Sequence, residues 1–302
     1  MGLKQILAVG SMALDSVKTP FGEVEDALGG SVTYFSAGAR FFSRVSIVAV
    51  VGQDFPKKYL KLMRKLGINS TGLQVANGKT FRWKGFYGND LNNAQTLKTE
   101  LNVFSDFKPR ISSENQRSNY VFLANIDPDI QRSVLNQARR PLLTACDTMN
   151  YWIQTKKQSL LNLLKGVDIF LCNDSEARQL SGQVNLMDCA KWILKRGPRL
   201  LVIKKGEHGV ICFSKKFLFI APAFPLERVF DPTGAGDSFA GGFMGYLTRS
   251  PRLDEGVVRR AVIYGSVLAS YNVESFSLNR LARLKPKDIE ARYSLFQQIT
   301  KF

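Results

Sequence analysis

The chain has 302 residues, 45% of them hydrophobic, which excludes a disordered or fibrous protein and leaves room for one large α/β domain or two small ones. Forty-two Lys and Arg against 25 Asp and Glu give a net charge of +17, and no apolar run reaches the ~18 residues that a membrane span needs. Four cysteines (Cys146, Cys172, Cys189 and Cys212) show neither CxxC nor zinc spacing and read as buried thiols.

Residues 4–10 read as a buried strand ending at Gly10 and Ser11. No charged segment followed by an apolar stretch precedes it, so a cytoplasmic protein is expected. Asp15 follows five residues past Gly10, where a carboxylate serves either as a turn cap or as a double acceptor for hydroxyl groups off a strand end. Residues 16–28, with Pro20 and Gly22, read as a strand pair or a projecting loop. Gly29 and Gly30 open a helix of small residues beginning at Ser31 and including Tyr34; a tightly packed helix start explains them by itself. Residues 45–51 form the next strand. A basic amphipathic helix with Lys57, Lys58, Lys61, Arg64 and Lys65 follows and ends at Gly67. Its basic face reads as solvated surface that steers anions, because the other basic residues are scattered and no nucleic-acid motif is present, so nucleic acid is not the expected partner. Two β-type runs, 80–88 and 95–104, joined by G-N-D-L-N-N, make a hairpin carrying Arg82 and Trp83.

Strands at 120–124, 142–146, 167–172 and 200–204 each run into polar residues. These are Asn125, then Asp147 and Asn150, then Asn173 with Glu176, then Lys204 and Lys205 ahead of Gly206 and Gly209. Open α/β sheets bind ligands off strand C-termini, although Asn and Asp also favour turns there. Asn173 and Glu176 alone make a helix-capping motif. His208, the only histidine, reads as an exposed turn residue. The alternation of strand and helix predicts an α/β sandwich with a mainly parallel sheet.

The most informative stretch is D-P-T-G-A-G-D, Asp231 to Asp237, continuing as S-F-A-G-G-F-M-G-Y into a helix of small, apolar residues. Gly234, Ala235 and Gly236 let backbone N–H groups approach an anion, and a helix N-terminus adds positive partial charge. Asp237 is placed to accept a hydroxyl proton, and Asp231 to face a cation. A glycine turn capped by Asp237 is the plainer alternative.

The string D-P-T-G-A-G-D-S-F-A-G-G-F resembles the signature of the PfkB/ribokinase family of small-molecule kinases, and Asp15, the Gly29–Gly30 pair, Asn173-x-x-Glu176 and the turn at 204–209 match further family motifs in the expected order. The resemblance implies one ribokinase-like domain over residues 1–302. It would be a three-layer α/β/α sandwich with a mainly parallel central sheet and a small β-sheet lid from approximately 16–28 and 78–105. It implies ATP-dependent phosphorylation of a hydroxymethyl group on a sugar or nucleoside, with Asp237 as general base and the Gly234–Gly236 backbone as anion hole. Asp15, Gly29, Gly30 and Ser31 would hold the acceptor, with Tyr34, Arg82, Asn125 and Asn150 as further pocket candidates. Asn173, Lys204, Lys205, Gly206, Gly209 and Thr233 would face the nucleotide together with Gly234 and Gly236. Glu176 and Asp231 would serve magnesium, and a monovalent cation such as K+ has room near Asp231 and Thr233. A homodimer through the lid is allowed. One departure is Tyr34, where many members carry Asn; an aromatic there tilts the expected acceptor toward a nucleoside. Two readings from other classes stay open: a catalytically silent, ligand-sensing member of the fold, and a basic nucleic-acid binder.

Overall fold

In the inner parallel strands most residues are apolar and buried, which is how a strand covered on both faces must read. The computed structural model describes residues 3–250 and 253–301 and arranges nine strands in one sheet. From one edge to the other they are Leu218–Ala221, Val210–Ser214, Leu200–Lys204, Ile169–Asn173, Leu143–Cys146, Tyr120–Leu123, Gln5–Val9, Arg44–Gly52 and Asn69–Ala76. Seven run parallel; the two at the Leu218–Ala221 edge are antiparallel.

Side-chain alternation splits the core in two. On Gln5–Val9, Ile6 and Ala8 point to one face and Leu7 and Val9 to the other. The first face packs against helices Ser31–Ala39, Lys57–Lys65, Ala235–Leu247, Glu255–Asn272 and Pro286–Ile299; the second packs against Pro128–Gln137, Asn150–Thr155, Lys157–Leu164, Asp174–Ser181 and Leu186–Leu194. The result is the expected three-layer α/β/α sandwich. A second, four-stranded sheet stands apart in the order Gly22–Gly29, Ala13–Thr19, Arg82–Tyr87, Ala94–Glu100; its middle pair is parallel and its outer pairs antiparallel. Asp15 lies on one of these strands, not in a turn.

Helix Ala235–Leu247 has four glycines and poor intrinsic helicity, so packing rather than propensity must hold it. Nine of its residues are buried, and it lies between Ser31–Ala39 and Glu255–Asn272. A methyl group on Gly242 would stand 2.7 Å from the Tyr264 carbonyl oxygen, and one on Gly241 would collide with the Phe35 carbonyl. Small residues therefore let this helix reach the sheet's ligand-binding end. Gly242→Ala would gain about 1 kcal/mol of helix propensity but cost about 1–3 kcal/mol by overpacking, so we expect a net loss. Urea unfolding should show a lower midpoint at unchanged slope; a raised midpoint would contradict the close packing.

Candidate active site

The parallel strands all end on one side of the sheet, and four neighbouring ends deliver Asn125, Asp147, Asn173 and Lys204 to one cleft. Helix Ala235–Leu247 brings Gly236 and Asp237 to the same cleft, which encloses about 1130 Å³. Its far wall is largely apolar: Ala223, Phe224, Pro225, Leu226, Val229 and Val273.

Gly234 precedes the helix in a left-handed conformation (φ 75°), with the Tyr34 ring where a side chain would be. Only glycine satisfies both demands. The Ala235 N–H is used in a turn to the Pro232 carbonyl (3.1 Å), and no side chain caps the helix. The first-turn N–H groups of Gly236 and Asp237 thus carry the anion-binding character expected of the wider Gly234–Gly236 stretch. Asp237 is half-buried. Desolvation pushes its carboxyl well above the usual range; the Asp147 charge adds to this and Lys204 opposes it.

Lys204 pairs with Asp147 at 2.7 Å, with side-chain exposures of 17% and 4%. Its Nζ also lies 2.9 Å from where a Gly236 side chain would begin, so the ammonium covers the helix start. Burial alone would lower the lysine's pKa; the carboxylates Asp147 and Glu176 outweigh it and raise it. Asn173 and Glu176 form a complete capping box: the Glu176 N–H donates to Asn173 Oδ1 and the Asn173 N–H to Glu176 Oε2, both at 2.7 Å. Glu176 is nevertheless buried in the cleft wall, and desolvation lifts it to about 7 against the pull of Lys204. Asp147, Glu176 and Asp237 thus outnumber the one ammonium.

Asp15 is buried beside the glycine pair. Its carboxylate occupies the place of a Gly29 side chain, and Gly30, at φ 95°, donates its N–H to it. Burial, with a smaller push from Asp231, lifts Asp15 to about 7. Ser31 pins the surrounding loops: its Oγ accepts from the Ser11 N–H (3.1 Å) and donates to the Asn125 carbonyl (3.2 Å). Asn125 Oδ1 and Thr148 Oγ1 are buried without a hydrogen-bond partner, and both residues line the cleft. Orphaned polar atoms in a cleft wall are what a ligand would satisfy.

Several expected residues are placed elsewhere. Arg82 does not line the cleft; Asp54 (2.8 Å) and Asp26 (3.3 Å) neutralise its guanidinium at the base of the small sheet. Asn150 is exposed and donates to Gln179 (3.1 Å), because it begins a helix rather than facing the cleft. Tyr34 is 2% exposed, its ring covered by Gly234, so it offers no open stacking face. Lys205 is outside the cleft lining, whereas Gly206 and Gly209 are in it. Asp231 is 1% exposed, and its two oxygens accept from the N–H groups of Thr233 (2.9 Å) and Ser277 (3.3 Å). It organises the turn rather than facing the cleft. The Thr233 carbonyl accepts from Asn272 Nδ2 (2.7 Å). Asp147 was legible as a strand-end carboxylate but not as the partner of Lys204. Nothing local in the sequence signals the cleft role of hairpin residues Asn89 to Asn92.

The sequence matches the pfkB family carbohydrate kinase description over residues 5–282, and the chain belongs to that family. It is accordingly a kinase with an alcohol group as acceptor. A cytidine kinase of Thermococcus kodakarensis is 28% identical over 256 residues, 83% of this chain and 91% of that one. A nucleoside kinase of Methanocaldococcus jannaschii is 24% identical over 288 residues, 90% of this chain and 91% of that one. The crystal structure of Methanocaldococcus jannaschii nucleoside kinase, described as an archaeal member of the ribokinase family, matches with a TM-score of 0.78 at 22% identity, covering 98% of this chain and 100% of that chain. A Burkholderia thailandensis nucleoside kinase in complex with inosine matches with a TM-score of 0.80 at 18% identity, covering 98% of each chain. These structures share the ribokinase fold.

Asp15 makes a pH prediction. Its folded pKa of about 7 exceeds the ordinary 3.8, so the folded protein holds a proton that the unfolded chain releases between these values. That contribution is complete below pH ~4 and is lost as pH rises through 7. Asp15→Asn removes it. The variant should exceed the parent in Tm at pH 8, with the difference shrinking toward pH 4; equal differences at both pH values would contradict the assignment.

Proposed function

We propose that the protein transfers the γ-phosphoryl group of ATP to a hydroxymethyl group of an uncharged nucleoside or sugar, with Asp237 accepting the hydroxyl proton. The observation that carries this reading is the convergence of Asp237, the Gly236 helix start and the Lys204 ammonium on one cleft with an apolar far wall. Desolvation of Asp237 raises its basicity, as a proton acceptor requires. The free first-turn N–H groups and Lys204 suit developing charge on the transferring phosphoryl group. The apolar wall suits a nucleobase. Asp15 orients the acceptor, and the small sheet acts as a lid that excludes water.

Magnesium fits the charge balance. Asp147, Glu176 and Asp237 line the cleft opposite a single ammonium, and no cluster of three metal-holding side chains is preassembled among the described residues. An ion that keeps most of its waters needs no such cage. Glu176 would hold it, with Asp147 beside it, and when bound the ion neutralises phosphate charge. The exposed outer strand Ala94–Glu100 leaves an edge on which a second copy could pair.

The acceptor's charge is constrained more tightly than its identity. Lys204 is the single cation among the described residues that line the cleft, and Asp147 already pairs with it. A phosphate or carboxylate on the acceptor would find no free cation in the cleft lining, so charged acceptors should turn over more slowly than neutral ones. The preference for a nucleoside rests on the relatives, since the Tyr34 ring is covered.

The test is ADP release with Mg-ATP across neutral nucleosides, neutral sugars and their phosphates, beside Asp237→Asn. Turnover should appear with a neutral acceptor, and kcat should fall ~10²–10⁴-fold in the variant while KM changes little. Full activity in Asp237→Asn, or no turnover with any acceptor, would overturn the reading; the second result would favour a ligand sensor.

A further inference from the structure

The hairpin joining Arg82–Tyr87 to Ala94–Glu100 belongs to the small sheet, yet its tip does not stay there. Asn92 reaches the turn at 206–208, 115 positions away in sequence. Its Nδ2 donates to Glu207 Oε1 (3.1 Å), and the Glu207 N–H donates to its Oδ1 (3.4 Å). The amide is thus clasped from both ends. Gly206 makes the seat: it has φ 55°, and a side chain there would collide with Asn92 Oδ1. Asp90 stiffens the tip by accepting from the Asn92 N–H (2.9 Å) and the Asn93 amide (2.5 Å). At the hairpin's root, Tyr87 OH lies 3.3 Å from Thr233 Oγ1 in the Asp231–Asp237 stretch. Asn89, Asp90, Leu91 and Asn92 line the same cleft as Gly206, Gly236 and Asp237.

A carboxylate on a phosphate-facing turn repels phosphate, so Glu207 is a poor donor ligand. Its side chain is committed instead to the amide of the opposing hairpin. We propose that the hairpin tip is part of the donor site, with Asn92 latched to Gly206 and Glu207 so that the small sheet shuts the nucleotide end of the cleft as well as the acceptor end. Asn92 acts as a positioning residue: it holds the tip and does not touch reacting atoms. The proposal rests on the kinase reading above. A lid spanning both halves couples the two substrates, and that coupling is reciprocal: the factor by which acceptor tightens nucleotide equals the factor by which nucleotide tightens acceptor.

The experiment is amide hydrogen exchange on the full chain, combined with calorimetric titration of the magnesium complex of a non-hydrolysable imido analogue of ATP. Asn92→Ala and Glu207→Ala should each speed exchange at residues 88–93 about fivefold, the weight of a hydrogen bond or two in a local opening, and leave strand Arg44–Gly52 unchanged. Asn92→Ala should weaken analogue binding by a similar factor, and adding Glu207→Ala to it should weaken binding no further, because Asn92→Ala already removes both hydrogen bonds of the latch. Unchanged exchange at the tip would overturn the latch, as would faster exchange with unaltered analogue affinity. Failure of the unsubstituted protein to bind the analogue would overturn the kinase reading and the latch with it. The two failures are therefore distinguishable.

Discussion

The site depends on a helix that is nearly bare where it touches its neighbours. Ala235–Leu247 presents glycine to the Phe35 and Tyr264 carbonyls and begins at a glycine pressed against the Tyr34 ring. Closeness of this kind holds the helix start against its neighbours, and with it Gly236 and Asp237. A bulkier helix would have better intrinsic stability and a displaced Asp237. Low helix propensity is therefore the local sacrifice that lets the surrounding layers fix the chemistry.

A second constraint is electrostatic. The chain carries +17 overall, yet its cleft is lined by five carboxylates (Asp90, Asp147, Glu176, Glu207 and Asp237) and one lysine. Buried ion pairs such as Lys204–Asp147 seldom add much net stability, because desolvation offsets their attraction. This pair is better understood by its position over Gly236, where it places a fixed positive charge at the start of the helix. The surrounding carboxylates keep the lysine charged despite its burial. A basic exterior around an acidic cleft combines long-range attraction of anions with a locally negative site.

What the sequence revealed followed the range of each interaction. The Asp231–Asp237 string, the glycine pair and the Asn173–Glu176 box are local, with backbone and side-chain roles set within a few positions, and each stands at the start of a helix as expected. Arg82 and Asn150 were misplaced because side-chain direction is decided by distant partners, here Asp26 and Asp54 for one and Gln179 for the other. Tyr34 was expected to face a ligand, but its covering by Gly234 spans two hundred positions of sequence. Strand Asn69–Ala76 escaped notice because an edge strand with many exposed residues lacks the apolar run that marked its neighbours. The Asn92–Glu207 contact had no local signal at all.

The central claim is that this cleft passes phosphate to an alcohol rather than to water. Phosphorus-31 NMR on the protein with Mg-ATP and a neutral nucleoside or sugar acceptor tests it directly by counting products. The account predicts one new phosphate monoester for each ADP formed, and little ADP when the acceptor is omitted. Inorganic phosphate in place of the ester, or ADP formed equally well without acceptor, would contradict it.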